Sequence, residues 1–230
     1  MKYSKILLLL LIVQTSVLLG QEKEASPFDF GRMWTFENPP IEWFDEAYGL
    51  DLDQAWFDDV RKSSLRFATW CSASFVSPDG LIMTNHHCSR DVAISIQNAG
   101  ENFDNNGFYA TQLSDERRAP NLFVEQLIQV ADITEDVKQK LADAENDAQK
   151  AEMTGAALEE IKNMYAEKED WKNLRLQTVS YYSGGKYSLY GYKKYDDIRL
   201  VLIPENDLGF YGGDPDNFTY PRYNLDFTFW

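Results

Sequence analysis

The sequence contains few residues that bind metals or form cross-links: its 230 residues include two cysteines and two histidines. Two cysteines can form at most one intramolecular disulfide, and no second cluster of metal-binding residues accompanies the histidines, so we expect neither a metal nor another cofactor. Positive charge is also scarce, because 22 basic residues face 37 acidic ones and leave a formal net charge of −15. Such acidity repels phosphate backbones, so we expect no nucleic-acid partner.

Long hydrophobic runs are missing after residues 1–20. Within that segment Lys2 and Lys5 precede a short apolar run, Ile6 to Val13, and Gly20 supplies a small residue at its end. The run is too short for a comfortable membrane span, and the pattern is typical of a secretory signal peptide cleaved after the glycine. A retained, uncleaved anchor is the alternative. After cleavage we expect no stable membrane anchor.

The remaining residues, 21–230, suit one domain or a large part of one, since 44% of the sequence is hydrophobic. Export would allow the two cysteines to form a disulfide, because an oxidising compartment preserves such bonds. We therefore predict a bond between Cys71 and Cys88. Closing a loop of that length stabilises a fold by roughly 3 kcal/mol in the chain-entropy estimate.

The segment between the cysteines has the pattern of a β-hairpin. Ser72 to Val76 has strand character, Ser77 to Gly80 supplies turn residues, and Leu81 to Thr84 forms a second strand. A disulfide from Cys88 back to Cys71 would fix the position of the residues that directly follow the second strand.

Both histidines, His86 and His87, follow that second strand directly. The motif T-N-H-H-C is similar to the T-A-A-H-C of chymotrypsin-like peptidases, in which the histidine beside the cysteine is the general base. By this register His87 is the catalytic candidate and His86 occupies a structural position. Adjacent residues of a strand point to opposite faces, which disfavours a shared metal ion.

The rest of the chain alternates between helical and strand patterns. Residues 43–60 predict one or two short helices, 91–97 a helical turn, and 121–130 a strand. Apolar residues at spacings of three and four predict a helical hairpin insertion at about 132–174, with its turn at Thr154-Gly155. From Leu176 onward the period changes to two, which indicates successive strands. The predicted fold class is mainly β with a helical insertion.

A serine-peptidase triad needs an acid that orients the base. Asp226 opens the hydrophobic strand N-L-D-F-T-F-W and is the preferred candidate. Asp214 and Asp216 are rivals, but they lie in the turn-like segment G-G-D-P-D-N, where aspartate commonly hydrogen-bonds to nearby backbone.

The triad also needs a nucleophile, and none is evident. Ser183 in Y-Y-S-G-G imitates a peptidase nucleophile loop, yet it precedes Asp226 and lies between two strand-like runs. A hairpin turn is the preferred interpretation of that serine. The chain is therefore expected to be a truncated fragment that carries a base and an acid and stops before its nucleophile.

Several longer segments make the resemblance specific. S-F-V-S-P-D-G-L-I-M-T-N-H-H-C, R-R-A-P-N-L-F-V-E-Q-L, G-G-D-P-D-N-F-T-Y-P-R-Y-N-L-D-F and the leader G-R-M-W-T-F-E-N-P-P resemble bacterial dipeptidyl-peptidases of serine-peptidase family 46. The resemblance implies a chymotrypsin-like double β-barrel, here an incomplete first barrel, with a separate helical domain. It also implies a periplasmic, cell-surface or secreted enzyme that forms homodimers and removes dipeptides from peptides with a free N-terminus.

The same resemblance implies roles for individual residues. His87 becomes the base and Asp226 the orienting carboxylate. Asn217, Phe218 and Arg222 fall on the stretch that clamps the substrate's α-ammonium group. A turn-forming Asn, a buried Phe and a surface Arg are the structural alternatives for those three.

Two other functions are compatible with parts of this pattern. A trypsin-like periplasmic endopeptidase would share the base but lack the ammonium clamp. A non-catalytic, peptide-binding relative would lack the nucleophile altogether. Side-chain preference before the cut, acidic or hydrophobic, is expected to depend on the second barrel.

Overall fold

The computed structural model describes residues 34–36, 38–211 and 224–230. The chain divides into two units, residues 1–35 and residues 36–230, and the architecture below is that of the second unit. Across the described ranges, none of the helices combines the length and the apolar character that a membrane crossing requires.

Antiparallel strands form the framework of this unit. Numbered in chain order, the described strands are β1 (Ser64–Phe67), β2 (Cys71–Phe75), β3 (Ile82–Thr84), β4 (Phe108–Tyr109), β5 (Arg117–Arg118), β6 (Val124–Asp132), β7 (Arg175–Tyr181), β8 (Lys186–Tyr195), β9 (Arg199–Leu200), β10 (Leu202–Ile203) and β11 (Thr228–Phe229). Nine of them form one sheet in the order β4-β10-β11-β3-β2-β1-β6-β8-β7, while β5 pairs with β9.

The large sheet is not closed into a barrel by the described strands, because its edge strands β4 and β7 do not pair with each other. Helices are inserted between β6 and β7. The prediction of a mainly β fold with a helical insertion and an incomplete barrel is thus confirmed.

Among the described residues, two α-helices precede the first strand and the other helices lie in connections between strands. The described α-helices are α1 (Ile41–Tyr48), α2 (Gln54–Ser63), α3 (His86–Ser95), α4 (Phe103–Asn106), α5 (Thr134–Lys140) and α6 (Asp147–Ala166), with a π-helix at Asp207–Tyr211. The first two confirm the short helices predicted within residues 43–60. α2 begins where the side chain of Asp53 accepts a hydrogen bond from the backbone N of Trp56, at 2.8 Å.

The predicted turn at Thr154-Gly155 is wrong, because both residues lie inside α6. The chain turns instead at residues 141–146, and α6 begins where the side chain of Asn146 accepts a hydrogen bond from the backbone N of Gln149, at 3.0 Å. A glycine inside a helix costs only about 1 kcal/mol, which the packing of a 20-residue helix readily offsets.

Two of the three apolar clusters formed by the described residues stabilise the central sheet and the insertion. The larger lies under β1, β2 and β6 and includes Phe67, Val124, Leu200 and Trp230, all buried. The second joins the helices to the sheet through Ile133, Val137, Ile161, Trp171 and Leu189. The insertion is therefore a packed part of the fold and not a solvated arm.

Replacing Ile161 with Ala should destabilise the protein by about 2–5 kcal/mol, because the residue is fully buried and its loss leaves a cavity between α6 and the sheet. Met164 lies one helical turn away and is 48% exposed, so Met164→Ala is the matched control and should change stability by less than about 1 kcal/mol. Chemical denaturation measures both. Equal losses in the two variants would contradict the packing described here.

Candidate active site

A tight hairpin, β2 and β3, supports the candidate site. Gly80 takes a positive φ of 92° at the turn, and the hydroxyl of Ser77 accepts hydrogen bonds from the backbone N atoms of Asp79 and Leu81, each at 3.2 Å. The returning strand pairs Met83 with Ser74. The predicted hairpin is confirmed, and its register fixes where the next residues leave the sheet.

His86 and His87 are the first two residues of helix α3, not the end of a strand as the sequence pattern suggested. Their side chains consequently do not point in opposite directions, as strand neighbours would; successive helical residues are about 100° apart around the axis. The predicted disulfide between Cys71 and Cys88 is present and ties the start of β2 to the first turn of α3. The indole Nε1 of Trp70 donates to the carbonyl oxygen of Cys88, at 3.1 Å.

The carboxylate of Asp226 holds His87 by two hydrogen bonds. Its Oδ2 lies 2.7 Å from the ring Nδ1 of His87, and its Oδ1 accepts from the backbone N of the same residue at 3.1 Å. The side chain of Asn85 donates to the backbone carbonyl oxygen of Asp226, at 3.1 Å. When Nδ1 carries the proton and donates it to the carboxylate in a hydrogen bond, Nε2 is the nitrogen that can accept a proton.

Strand pairing brings Asp226 to the histidine from 139 positions away in the sequence. It precedes β11, in which Thr228 pairs with Thr84 and Phe229 with Met83 of β3. The predicted strand near Asp226 is therefore real, and its role is to place the carboxylate at the point where β3 becomes α3.

The side chain of His87 is 39% exposed, whereas that of Asp226 is only 16% exposed. The imidazole is thus accessible on its far side while its partner is shielded. Within the described ranges, no serine hydroxyl forms a hydrogen bond to this imidazole.

His86 has a different environment one residue away. It is 1% exposed, and its Nε2 lies 3.2 Å from the carbonyl oxygen of Pro204, so that nitrogen carries the proton and donates. The ring also packs on the backbone of Gly209 in the π-helix, where an added Cβ would lie 2.4 Å from its Cδ2. The sequence predicted no role for Gly209 or Asn85, although Asn85 lies within the T-N-H-H-C motif.

Burial is the main reason why the pKa of His86 is lowered from its ordinary value of 6.5, and the positive charge of Arg90 acts in the same direction. The hydrogen bond to Pro204 and the charges of Asp226 and Asp104 oppose the shift without cancelling it. The ring is therefore neutral in the folded protein near neutral pH.

The structure describes only some of the other residues that the sequence analysis considered for the site. Asn217, Phe218 and Arg222 lie outside the described residues, as do the rival acids Asp214 and Asp216. Ser183 lies in the turn between β7 and β8, with a φ of 53°, in agreement with its interpretation as a hairpin residue.

One cluster has the residue types of a metal site: ligand atoms of Cys71, His87 and Cys88 lie within 4.8 Å of one another. Both sulfur atoms belong to the disulfide, however. Because the thiolate is the form that binds metals, the oxidised pair cannot contribute its sulfurs as such ligands.

Comparison with known proteins shows which family and which relatives the sequence resembles. The sequence model of the family described as Peptidase S46 matches residues 28–230. The Asp/Glu-specific dipeptidyl-peptidase of Flavobacterium psychrophilum is 29% identical over 99% of this chain and 31% of its own length. That of Shewanella putrefaciens is 32% identical over 95% of this chain and 29% of its own length. Dipeptidyl-peptidase 7 of Phocaeicola vulgatus is 31% identical over 80% of this chain and 26% of its own length.

A solved structure agrees with the sequence matches. The crystal structure of Porphyromonas endodontalis DPP11 superposes with a TM-score of 0.70 at 26% identity, covering 86% of this chain and 29% of that protein. The chain thus spans less than a third of the length of these relatives.

The pKa of His86 predicts a pH dependence of stability. Because the folded pKa lies below the unfolded value of 6.5, the unfolded chain binds the proton first as pH falls. Stability is therefore fully present above pH 6.5 and declines below it, by at most about 1.4 kcal/mol per pH unit from this group.

The measurement is the free energy of unfolding between about pH 7.5 and 5 for the protein and for His86→Gln. Glutamine can still donate to Pro204 but does not titrate, so the variant should show a shallower loss on acidification. Identical pH profiles would refute the assignment of a buried, neutral His86.

Proposed function

This chain belongs to the peptidase S46 family, and we propose that it carries the base and acid of a serine-type dipeptidyl-peptidase. The whole enzyme would release dipeptides from oligopeptides with a free N-terminus. The observation that carries the proposal is the 2.7 Å contact between Nδ1 of His87 and Oδ2 of Asp226. The names of its relatives, dipeptidyl-peptidases from several bacteria, support the choice of reaction.

In the proposed mechanism Nε2 of His87 takes the proton of a serine hydroxyl from the remainder of the enzyme as the oxygen attacks the second peptide carbonyl. Asp226 fixes the tautomer and stabilises the imidazolium that forms. The imidazolium then protonates the leaving amine, which leaves a dipeptidyl ester on the serine. Water, deprotonated by the same nitrogen, then attacks that ester, and the imidazolium returns the proton to the departing serine oxygen, which releases the dipeptide.

Stabilisation of the tetrahedral intermediate requires hydrogen-bond donors aimed at its oxyanion. Backbone N–H groups beside the serine would supply them, and each such donor contributes about 2.7–4 kcal/mol in comparable enzymes. The acyl and oxyanion chemistry would therefore belong to the part of the enzyme that contributes the serine, and the proton transfers to the part described here.

Selection of the free N-terminus is proposed to rest on three residues of the segment before Asp226. The amide oxygen of Asn217 would accept a hydrogen bond from the α-ammonium group, Phe218 would form an aromatic wall, and Arg222 would organise the loop. An N-blocked peptide would leave these polar groups desolvated and unpaired, which is costly.

One feature of the sequence and one of the structure support a proposed compartment for the enzyme. Residues 1–20 have the composition of a signal peptide, and the Cys71–Cys88 disulfide is of the kind that oxidising compartments preserve. We accordingly propose that the enzyme is located in the periplasm, at the cell surface or in the medium. A homodimer of the whole enzyme is proposed from the family resemblance.

Asp226→Asn in the full-length enzyme should lower kcat by roughly 10³–10⁴-fold, because the amide favours the wrong imidazole tautomer and cannot stabilise the imidazolium. Asp197→Asn is the matched control: that carboxylate is 56% exposed, pairs with Arg199 and should leave kcat unchanged. Hydrolysis of a dipeptidyl-aminocoumarin provides the rate. A loss of less than tenfold for Asp226→Asn would remove this residue from the mechanism.

A free N-terminus should be required for turnover. The full-length enzyme is expected to hydrolyse a dipeptidyl-aminocoumarin and to leave its N-acetylated form intact, because the acetyl group removes the ammonium charge. Asn217→Ala should mainly raise KM for the free substrate. Equal turnover of free and acetylated substrates would favour an endopeptidase instead.

A further inference from the structure

A groove rich in positive charge lies beside the candidate active site. It encloses about 790 Å³, and its charged lining consists of Arg66, Glu125, Arg175 and Lys194, with Trp70 and Phe123 as aromatic walls. Three cations and one carboxylate give this basic groove an excess of positive charge in a chain whose net charge is −15. The local sign is therefore opposite to that of the protein as a whole.

Strand register places all four charged side chains on one face of the sheet. Arg66 pairs with Glu125, Glu125 pairs with Lys194, and Arg175 pairs with Tyr192, two residues from Lys194. Directly opposed residues and residues two apart on a strand share a face. The cluster is thus a consequence of the register of β1, β6, β8 and β7.

The two arginines are held in fixed positions. Glu125 is 5% exposed and accepts hydrogen bonds from Nε and Nη2 of Arg175, while Nη1 of Arg66 lies 3.7 Å from the same carboxylate. Both guanidinium groups stack on Tyr192, with their central carbons 4.7 and 4.8 Å from the ring centroid. Groups fixed in this way bind an incoming anion without first losing side-chain entropy.

Arg175 and Glu125 largely satisfy each other, so the charge available to a ligand comes from Arg66 and Lys194. The side chain of Arg66 is 45% exposed, and Nζ of Lys194 lies over the ring of Phe123, which also lines the groove. A carboxylate entering the groove can therefore contact two cations and an aromatic wall.

Cys71 connects the groove to the candidate base. Cys71 lines the groove, and its Sγ lies within 4.8 Å of both the Sγ of Cys88 and a ring nitrogen of His87. Trp70 donates to the carbonyl oxygen of Cys88. A peptide whose scissile bond lies at His87 would pass this wall within one or two residues, at about 3.3 Å per residue.

We propose that the basic groove binds the carboxylate of the leaving part of the peptide substrate, preferentially the C-terminal carboxylate of short peptides. This inference rests on the proposed function. The N-terminal part of the substrate carries an ammonium group, which the cations of the groove would repel. The leaving part carries the C-terminal carboxylate, which they attract, so charge favours the leaving side for peptides whose N-terminal dipeptide has no acidic side chain.

The test compares substrates that differ only on the leaving side. Tetrapeptides with one fixed N-terminal dipeptide are used as the C-terminal acid, as the C-terminal amide, and as an amide with aspartate at the third position. The full-length enzyme should show a higher kcat/KM for the acid than for the amide. A dipeptidyl-aminocoumarin, which has no leaving peptide, reports the proposed function separately.

In Arg66→Gln/Lys194→Gln the ratio of kcat/KM for acid over amide should fall about five- to tenfold, as loss of one or two partly exposed ion pairs predicts. Lys194→Gln alone should lower it by a smaller factor; because Lys194 is exposed, this variant also guards against misfolding of the double variant. Lys193→Gln is the matched control, since Lys193 lies on the opposite face of β8 and does not line the groove.

The outcomes are distinct. Recovery of rate by the aspartate-containing amide would show that the groove accepts a side-chain carboxylate as well as the terminal one, which supports the site. An acid-to-amide ratio near one in the unmodified enzyme, or an equal fall in Lys193→Gln, would overturn the groove assignment while aminocoumarin hydrolysis still upheld the proposed function. Absence of aminocoumarin hydrolysis would overturn both.

Discussion

The carboxylate of Asp226 is the interaction on which the candidate site depends. It accepts hydrogen bonds from the ring and from the backbone N of His87, so it fixes both the first turn of α3 and the orientation of the imidazole. Its own position depends on β11, which pairs with β3 through Thr228 and Phe229. A single strand pairing between distant segments thus brings the His87 ring and the Asp226 carboxylate together.

Two neighbouring histidines illustrate how environment separates identical side chains. His87 is partly exposed and faces a carboxylate, whereas His86 is buried against Pro204 and Gly209. Burial disfavours the charged form of His86 and keeps it neutral. One ring is therefore accessible and paired with a carboxylate, while the other fills space. This difference is possible because successive residues of a helix point in directions about 100° apart.

The charged residues are also unevenly distributed over the protein. The chain is strongly acidic, yet the register of four strands collects Arg66, Arg175 and Lys194 around the buried carboxylate of Glu125. Removing Glu125 would leave cations crowded without compensation, so the carboxylate stabilises the cluster as well as orienting it. Cys71 lines the groove and is bonded to Cys88 in the first turn of α3, the residue after the candidate base.

The sequence alone determined the local features of this protein. Turn residues and alternating apolar residues sufficed for the hairpin before the histidines, and the unique cysteine pair sufficed for the disulfide, because both depend on neighbours in the chain. Thr154-Gly155 misled for a related reason: local propensity favours a turn there, but the tertiary packing of α6 overrides it. Asn217, Phe218 and Arg222 stay predictions, since they lie outside the described residues.

Tertiary structure alone decided which distant residues meet. The sequence nominated Asp226 by motif, but only the β3–β11 pairing brings its carboxylate to His87. Nothing in the local sequence around Arg66, Glu125 or Lys194 marks a shared site, because their proximity arises from register between strands far apart in the chain. Local patterns report short-range geometry, whereas the candidate site depends on long-range strand pairing.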